Sequence, residues 1–471
     1  MKYLSALHLL LLIFCASIFT SAQSTDATVS GVVVDPAGKV ISDAGIEIIN
    51  EATGVHFSSK TNSSGIYTIT ILPPGEYRVQ VSKIGFKALI KPGIVLNVQS
   101  ALVLNFTLPV GAASESITVQ AGASVINTTD GSVSTVIDRD FVENMPLNGR
   151  SFQDLLTLSP GVSHVANSYG ANNGVGYSGD IVVNGERTES NYYSVDGVAA
   201  NTGTMPGEFG EGAGVSGNLP SLSALGTTQG IASIDTLQEF RSTTSTYSAE
   251  YGRSPGGQFS FLTRSGTNTV HGSLYDFFRN DALDASNWFN DYYGYPKGEE
   301  RQNDFGGTFG GPIVLPRIYN GTNRSFFFFS YEGLRLVSPQ AATVSEVPDS
   351  TLRQQAAAAI QPVLNAFLLA NHGEDGKNDG FAYNLRSISY PSTLDSTSIR
   401  LDHTVGNRLT FFGRYANTPS DAATYLGAVK QFTSIGNQSA TLGATSSISV
   451  HQTNDFRFNF TRNSGSYASS S

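Results

Sequence analysis

Apolar and polar residues alternate with a period of two over the first part of the chain, at Tyr67/Ile69/Ile71, Tyr77/Val79/Val81 and Leu102/Leu104/Phe106/Leu108. Such alternation places every second side chain on one buried face of a strand. Between Thr28 and about Pro109 the alternating runs are broken by turn sequences such as DPAG, EATG, NSSG and PPGEY. About seven short strands at this spacing predict a small β-sandwich.

The pattern then changes. Residues 132–162, SVSTVIDRDFVENMPLNGRSFQDLLTLSPGV, predict strand, short helix, turn, helix and stop. Asp138 is expected to cap the first helix, Pro146 to end it, and Ser151 to cap the second before Pro160-Gly161. In VVNGERTESNYYSVDGV (182–198), Asn184-Gly185 and Asp196-Gly197 are expected to be turns joining paired strands, because Gly accepts positive φ and Asn and Asp tolerate it. Val182, Val183, Val195 and Val198 are the apolar strand positions, while Arg187 and Glu189 are expected to face a neighbouring wall or water. The Gly/Ser/Thr-rich stretch 199–230 has no periodicity and reads as a flexible loop.

After Thr269 the runs lengthen to about ten residues and become strongly aromatic, which is the length and alternation of transmembrane β-strands. In NRLTFFGRYANT, Leu409, Phe411 and Tyr415 are expected on one face and Arg408, Thr410, Arg414 and Asn417 mostly on the other, with Phe412 outside the pattern. Residues 349–373 have helical composition and are expected to form a short helix in an external loop. The following GEDGKNDG lacks the alternating acids and closing Glu of an EF-hand and reads as a solvated turn.

Composition narrows the function. With 38 acidic against 28 basic residues the net charge is −10, so nucleic acid is excluded as a partner. The first residues combine Lys2, an apolar run from Leu4 to Phe19 and small residues before Gln23, a secretory signal peptide cleaved after Ala22. A single-span anchor is the alternative reading. The one cysteine, Cys15, lies in that run, so the mature chain is expected to have no disulfide, Cys nucleophile or thiolate metal site. Nothing later supplies about 20 consecutive apolar residues, so entry into a membrane requires a β-barrel.

These segments carry resemblances. SGVVVDPAGKVISDAGIEI, TNSSGIYTITILPPGEYRVQVSKIGF and LNFTLP resemble the carboxypeptidase regulatory-like domain, an immunoglobulin-like module of the carbohydrate-binding-like fold class that is itself not catalytic. Phe57, Tyr67, Tyr77 and Phe86 fit core, edge or sugar-stacking positions equally well. MPLNGRSFQDLLTLSPGV, VVNGERTESNYYSVDGV and YGRSPGGQFSFLTRSGTN resemble the plug of Oar-like TonB-dependent receptors, and FFFFSYEGLR, GGTFGGP and GRYANT resemble the first strands of their barrel. Within the plug, the resemblance marks Asn184, Gly185, Arg187, Asp196, Gly197, Tyr251, Gly252, Gly256 and Gly257 as structural positions. SITVQA is similar to the segment by which such transporters offer a strand to TonB, which singles out Ser116, Ile117, Thr118 and Val119; an ordinary linker strand is the other reading.

The expected fold is therefore mainly β. It comprises a signal peptide (1–22), an immunoglobulin-like β-sandwich (27–109), a linker with the candidate strand (110–121), an α/β plug domain (122–268) and a partial antiparallel transmembrane β-barrel (269–471). The resemblance implies an outer-membrane receptor/transporter of a Gram-negative bacterium, with TonB, ExbB and ExbD as its energy supply, outer-membrane lipid around it and an unidentified extracellular ligand. Family barrels have about twenty-two strands, so a chain of this length is expected to be partial. The competing reading is a secreted or surface-attached carbohydrate- or matrix-binding β-protein. For chemistry, no HExxH, GxSxG or Walker sequence is present and the seven histidines are scattered, so the expectation is no enzyme, no cofactor and no metal.

Overall fold

The computed structural model describes residues 24–111, 116–118, 131–145, 147–165, 180–201, 220–247, 251–340, 342–374, 379–406, 408–426, 429–449 and 452–470. The leader, with its cleavage site and Cys15, lies outside the described residues, as do Pro146, Val119 and 202–219 of the glycine-rich stretch.

The N-terminal unit packs two sheets face to face. One contains β1 (Ala27–Val34), β4 (Ile66–Leu72), β7 (Ala101–Val103) and β8 (Phe106–Thr107). The other contains β2 (Gly45–Asn50), β3 (His56–Lys60), β5 (Gly75–Ser82), β6 (Ala88–Leu96) and β9 (Ser116–Thr118), in the order β3-β2-β5-β6-β9. The alternating positions named above form the core between them: Tyr67, Tyr77, Val79, Val81, Leu104 and Leu108 are all buried. Tyr67 and Tyr77 also satisfy their hydroxyls internally, on the carbonyls of Leu104 and Pro73. Phe57 and Phe86 pack against the same core. All four rings are thus committed to packing.

The second unit is a mixed five-stranded sheet ordered β10-β15-β16-β13-β14, from β10 (Val133–Ile137), β13 (Tyr192–Val195), β14 (Val198–Ala199), β15 (Leu237–Ser245) and β16 (Gln258–Thr263). Beside it, β11 (Val162–Val165) pairs with β12 (Asp180–Val183). Helix α1 (Arg139–Asn144) starts where Asp138 Oδ1 accepts from the Phe141 N–H at 2.9 Å. Helix α2 (Gln153–Leu156) does not use Ser151 as its cap: that hydroxyl is buried 2.8 Å from Thr228 Oγ1, and Phe152 occupies the cap position. Phe152, Phe240, Phe259 and Phe261 fill the core.

Only one of the two expected turns joins paired strands. Asp196 (φ 51°) and Gly197 (φ 82°) link β13 to β14 as a two-residue hairpin, whose two positive φ angles match the right-handed strand twist. Asn184 (φ 52°) and Gly185 (φ 78°) have the same conformation but lead from β12 into a 3₁₀ turn at Thr188–Ser190. There β13 departs to pair in parallel with β16.

The third unit is a seven-stranded antiparallel sheet: β17 (His271–Asn280), β18 (Arg301–Pro312), β21 (Ser325–Pro339), β25 (Ser389–Val405), β26 (Leu409–Leu426), β27 (Val429–Ser449) and β28 (Gln452–Ser470). A small hairpin, β19 (Val314–Leu315) with β20 (Tyr319–Asn320), lies at one end. At the other lie α3 (Trp288–Tyr293), α4 (Ser350–Gln355), α5 (Gln361–Asn365) and a three-stranded sheet of β22 (Thr343–Pro348), β23 (His372–Glu374) and β24 (Phe381–Arg386). The single helix expected over 349–373 is thus two short ones and part of a strand. The first ends at Gln355 and the second opens with Pro362 in its first turn, the one place where a helix lacks a use for the missing N–H.

Alternation along this sheet is sharp. Phe329, Ile399, Leu401, Phe411, Tyr415, Leu442, Phe456, Phe458 and Phe460 are exposed on one face, while Ser330, Glu332, Ser398, Arg414, Thr418 and Thr441 are buried on the other. The outward face is thus apolar, as a lipid-facing barrel wall requires, while the inward face is largely polar with apolar patches at Phe326, Phe328, Leu334, Leu336, Leu394 and Ile435. One position differs from the sequence expectation, and the exception expected at Phe412 finds its reason. Asn417 shares the parity of Phe411 and Tyr415, so it belongs to the outward set. Phe412 points inward and is covered by two guanidinium groups, Arg400 at 4.5 Å and Arg457 at 5.1 Å from its ring centre. An inward aromatic ring is stable there because cations stack on its face. Gly443 lies opposite Phe412, where a Cβ would collide with the ring.

Candidate plug-to-wall interface

The plug rests on the polar face of the seven-stranded sheet, and two buried charge clusters anchor it. The first is built on the Asp-Gly hairpin. Asp196 is 2% exposed. Its carboxylate accepts from the Thr263 N–H at 3.0 Å and the Thr263 hydroxyl at 2.9 Å, which ties the hairpin to the end of β16. From the wall, Arg400 Nη1 donates to Asp196 at 3.1 Å, and Arg414 Nη1 lies 4.0 Å away. Arg400 and Arg414 are cross-strand partners on β25 and β26, so the sheet register itself aims both at one carboxylate. Asp402, 2.9 Å from Arg400 Nη2, accepts from the plug's Ser265 hydroxyl at 2.7 Å.

The second cluster forms around Arg150. Its Nη2 meets Asp235 of the plug at 2.5 Å, and its Nε lies 3.8 Å from wall residue Glu332. The guanidinium covers the rings of Tyr275 and Phe277 on β17 at 4.3 and 4.9 Å. Glu332 is fully buried and also accepts from Gln229 Nε2 at 2.6 Å, while the same amide donates to the Gly149 carbonyl at 2.9 Å. Buried charges of this kind persist only when paired and hydrogen-bonded.

Between the clusters lies a segment that the sequence misrepresents. The described part of the glycine-rich stretch, with the residues after it, is buried from Ser221 to Thr236. The Ala224 N–H donates to Ser420 Oγ at 2.8 Å, and Asn437 Nδ2 donates to the Leu222 carbonyl at 2.9 Å, both from the wall. Small residues fit here because the backbone itself is the contact: a Cβ on Gly230 would sit 2.5 Å from the Ser221 carbonyl oxygen.

The plug positions marked by resemblance divide by role. Asp196 and Gly197 form the anchoring hairpin. Gly256 and Gly257 let the chain pass against 190–192: their N–H groups donate to the Ser190 carbonyl and Asn191 Oδ1 at 2.9 Å, and a Cβ on Gly256 would meet the Ser190 oxygen at 2.5 Å. Asn184 donates to the Thr244 carbonyl at 2.8 Å. Gly185 and Gly252 have open space, Arg187 is exposed, and Tyr251 borders a cavity of about 500 Å³ shared with the sandwich. Sequence reasoning did not single out Arg150, Asn191, Gln229, Glu332 or Arg400, whose partners lie tens to hundreds of residues away. Ser116–Thr118 pair in parallel with Ala88–Ile90, so the candidate coupling strand is the edge of the sandwich sheet.

The sandwich also touches both other units. Glu239 of the plug accepts from the Val98 N–H, Arg241 Nη1 donates to the Gln99 carbonyl at 2.6 Å, and Asp26 faces Arg457 of the wall at 3.7 Å. Burial raises the Glu239 carboxyl to about 7, and burial raises Asp26 to about 6 against the pull of Arg457. Among the described residues no group of three or more His, Cys, Asp or Glu could hold a metal ion.

The seven-stranded sheet has the apolar outer face of a membrane barrel wall, and the second unit is seated on its inner face. Residues 262–471 match the outer membrane beta barrel domain, and residues 28–109 match the carboxypeptidase regulatory-like domain. The chain is a homologue of the TonB-dependent transporter Oar of Myxococcus xanthus, 24% identical over 354 residues that cover 71% of this chain. It spans 30% of that relative's length. Among solved structures it is similar to the outer membrane transporter YddB of Escherichia coli, with 12% identity, 67% of this chain and 37% of the other covered, and a TM-score of 0.43. The siderophore receptor PirA of Acinetobacter baumannii gives 13% identity, coverage of 73% and 46%, and a TM-score of 0.38.

Proposed function

We propose that this chain carries the periplasmic sandwich, plug and wall strands of a TonB-dependent outer-membrane receptor that takes up an extracellular ligand. The observation that supports this most is the seating of Asp196 between Arg400 and Arg414. A plug held by a few buried ion pairs is an element with two arrangements, seated or displaced, and a pull from the periplasm can select between them. In this reading TonB, energised through ExbB and ExbD, grips Ser116–Val119, and the signal peptide directs export.

Orientation follows from the connections. At one end of the sheet residues 281–300 and 340–388 join β17 to β18 and β21 to β25, with two residues between β26 and β27; at the other, residues 313–324 join β18 to β21, and three and two residues separate β25 from β26 and β27 from β28, so the two longest connections share one end. Barrels of this kind have short periplasmic turns and longer extracellular loops. The sandwich lies at the short-turn end, where Thr70 meets Thr453 at 3.3 Å, so it is periplasmic in this reading.

The test is fractionation and binding of protein expressed from its whole gene. Outer-membrane residence and capture by the periplasmic domain of the host TonB, lost on deletion of 116–119, are expected. Capture that survives the deletion would overturn the assignment of that strand.

A further inference from the structure

The short strand β9 raises a question of access, since a segment offered to a partner should be reachable. It is not a free tether: Ser116, Ile117 and Thr118 lie in register with Ala88, Leu89 and Ile90 of β6 and extend the sandwich sheet by one strand. A strand has two hydrogen-bonding edges, and this pairing commits one. Among the described residues no strand pairs with the other. Ile117 is 37% exposed and Thr118 is exposed, so neither side chain closes the site.

We propose that the carboxypeptidase regulatory-like sandwich is a template, holding residues 116–118 extended so that a partner strand adds to their outer edge and continues the sheet. This rests on the reading of that segment as the energy-coupling strand. The occupant is an extended segment of the periplasmic coupling protein, because an open backbone edge is recognised by another strand and demands little of side chains. Pre-ordering matters because each residue fixed on binding has an entropic cost that a prefolded edge has already met. The sandwich thereby couples pulling to the plug: the gripped strand stays joined to β6, and the same domain holds the plug through Val98, Gln99, Glu239 and Arg241.

A disulfide clamp tests it, because Cys15 is the one cysteine among these 471 residues. In a Cys15→Ser background, Ile90→Cys with Thr118→Cys locks β9 onto β6 when oxidised, and thiol titration reports closure. The reduced form serves as the folding control. The probe is the periplasmic domain of the host TonB, measured by calorimetry on the detergent-solubilised full chain. A templating sandwich predicts that the oxidised form binds as tightly as the reduced form or up to about tenfold tighter. Binding by the reduced form that disappears on oxidation would overturn the template and make β6 a parking site, leaving the coupling-strand assignment intact. Equal binding by both forms and by a 116–119 deletion would remove the coupling-strand assignment itself, and the template with it.

Discussion

Asp196 and Arg400 are 204 residues apart in the chain and 3.1 Å apart in the fold, joining a plug hairpin to the barrel wall. The same aspartate holds a left-handed turn (φ 51°), so its substitutions separate two roles. Asp196→Asn keeps a residue that tolerates positive φ but removes the charge, leaving Arg400 to Asp402 alone and Arg414 without its carboxylate; breaking a buried pair costs about 3–5 kcal/mol. Asp196→Ala should add the turn strain. We expect plug protection from protease to fall in the order wild type, Asn, Ala, with outer-membrane insertion retained.

Arg150→Ala should loosen the plug at its other anchor, because Glu332 then lies fully buried without its cation. Arg150→Lys should recover part of the loss: an ammonium restores charge but cannot span Asp235 and Glu332 while lying flat on Tyr275. Thermal melting of the two variants measures the difference, with several degrees expected between them.

Gly256→Ala should damage the plug core with no charge altered, since its Cβ would approach the Ser190 carbonyl to 2.5 Å. Gly252→Ala, four residues away in open space, is the control and should be nearly neutral. Near-ultraviolet circular dichroism of Tyr193 and its stacked neighbour Phe259 reports the loss.

Acid should strengthen sandwich docking. Glu239 and Asp26 have folded values raised to about 7 and about 6, so between pH 4 and 7 the folded protein binds more protons than the unfolded. Stability contributed by these groups is therefore fully present at low pH and is lost as pH rises through their folded values. Protease release of the sandwich should be slower at pH 5 than at pH 8, and Glu239→Gln with Asp26→Asn should flatten that profile.

Phe458→Arg places a charge on the outward face, where Phe458 is 53% exposed, and should cost about 2–4 kcal/mol near the bilayer midplane. Thr461→Arg on the inward parity of the same strand should insert normally. Yield in the outer-membrane fraction distinguishes the two.

What was legible in the sequence was whatever depends on neighbours along the chain. The sandwich core, the Asp138 cap and the outward phenylalanines follow from period, capping chemistry and alternation. Phe412 broke the alternation because its reason, two arginines from β25 and β28, is cross-strand. Residues 221–230 read as flexible because small polar residues also suit a loop; here they bring backbone close to a wall invisible in local composition. Arg150 and Glu332 lie inside quoted stretches, MPLNGRSFQDLLTLSPGV and FFFFSYEGLR, yet nothing local in either marks them as partners. Their pairing exists only once the plug and the wall meet.

The Asp26 and Arg457 contact bears on biogenesis. It joins the beginning of the described chain to the seventh wall strand, as does the Thr70 and Thr453 contact across 383 residues. Contacts of such sequence separation form late, since the long loop must close before they stabilise anything. The sandwich can fold as soon as it is exported and can meet the plug through Glu239 and Arg241, yet its contacts with the wall wait until β28 is in place. Until then Asp26 is hydrated and the sandwich lacks its hold on the wall. The window for periplasmic proteolysis is therefore set by the slow completion of the wall.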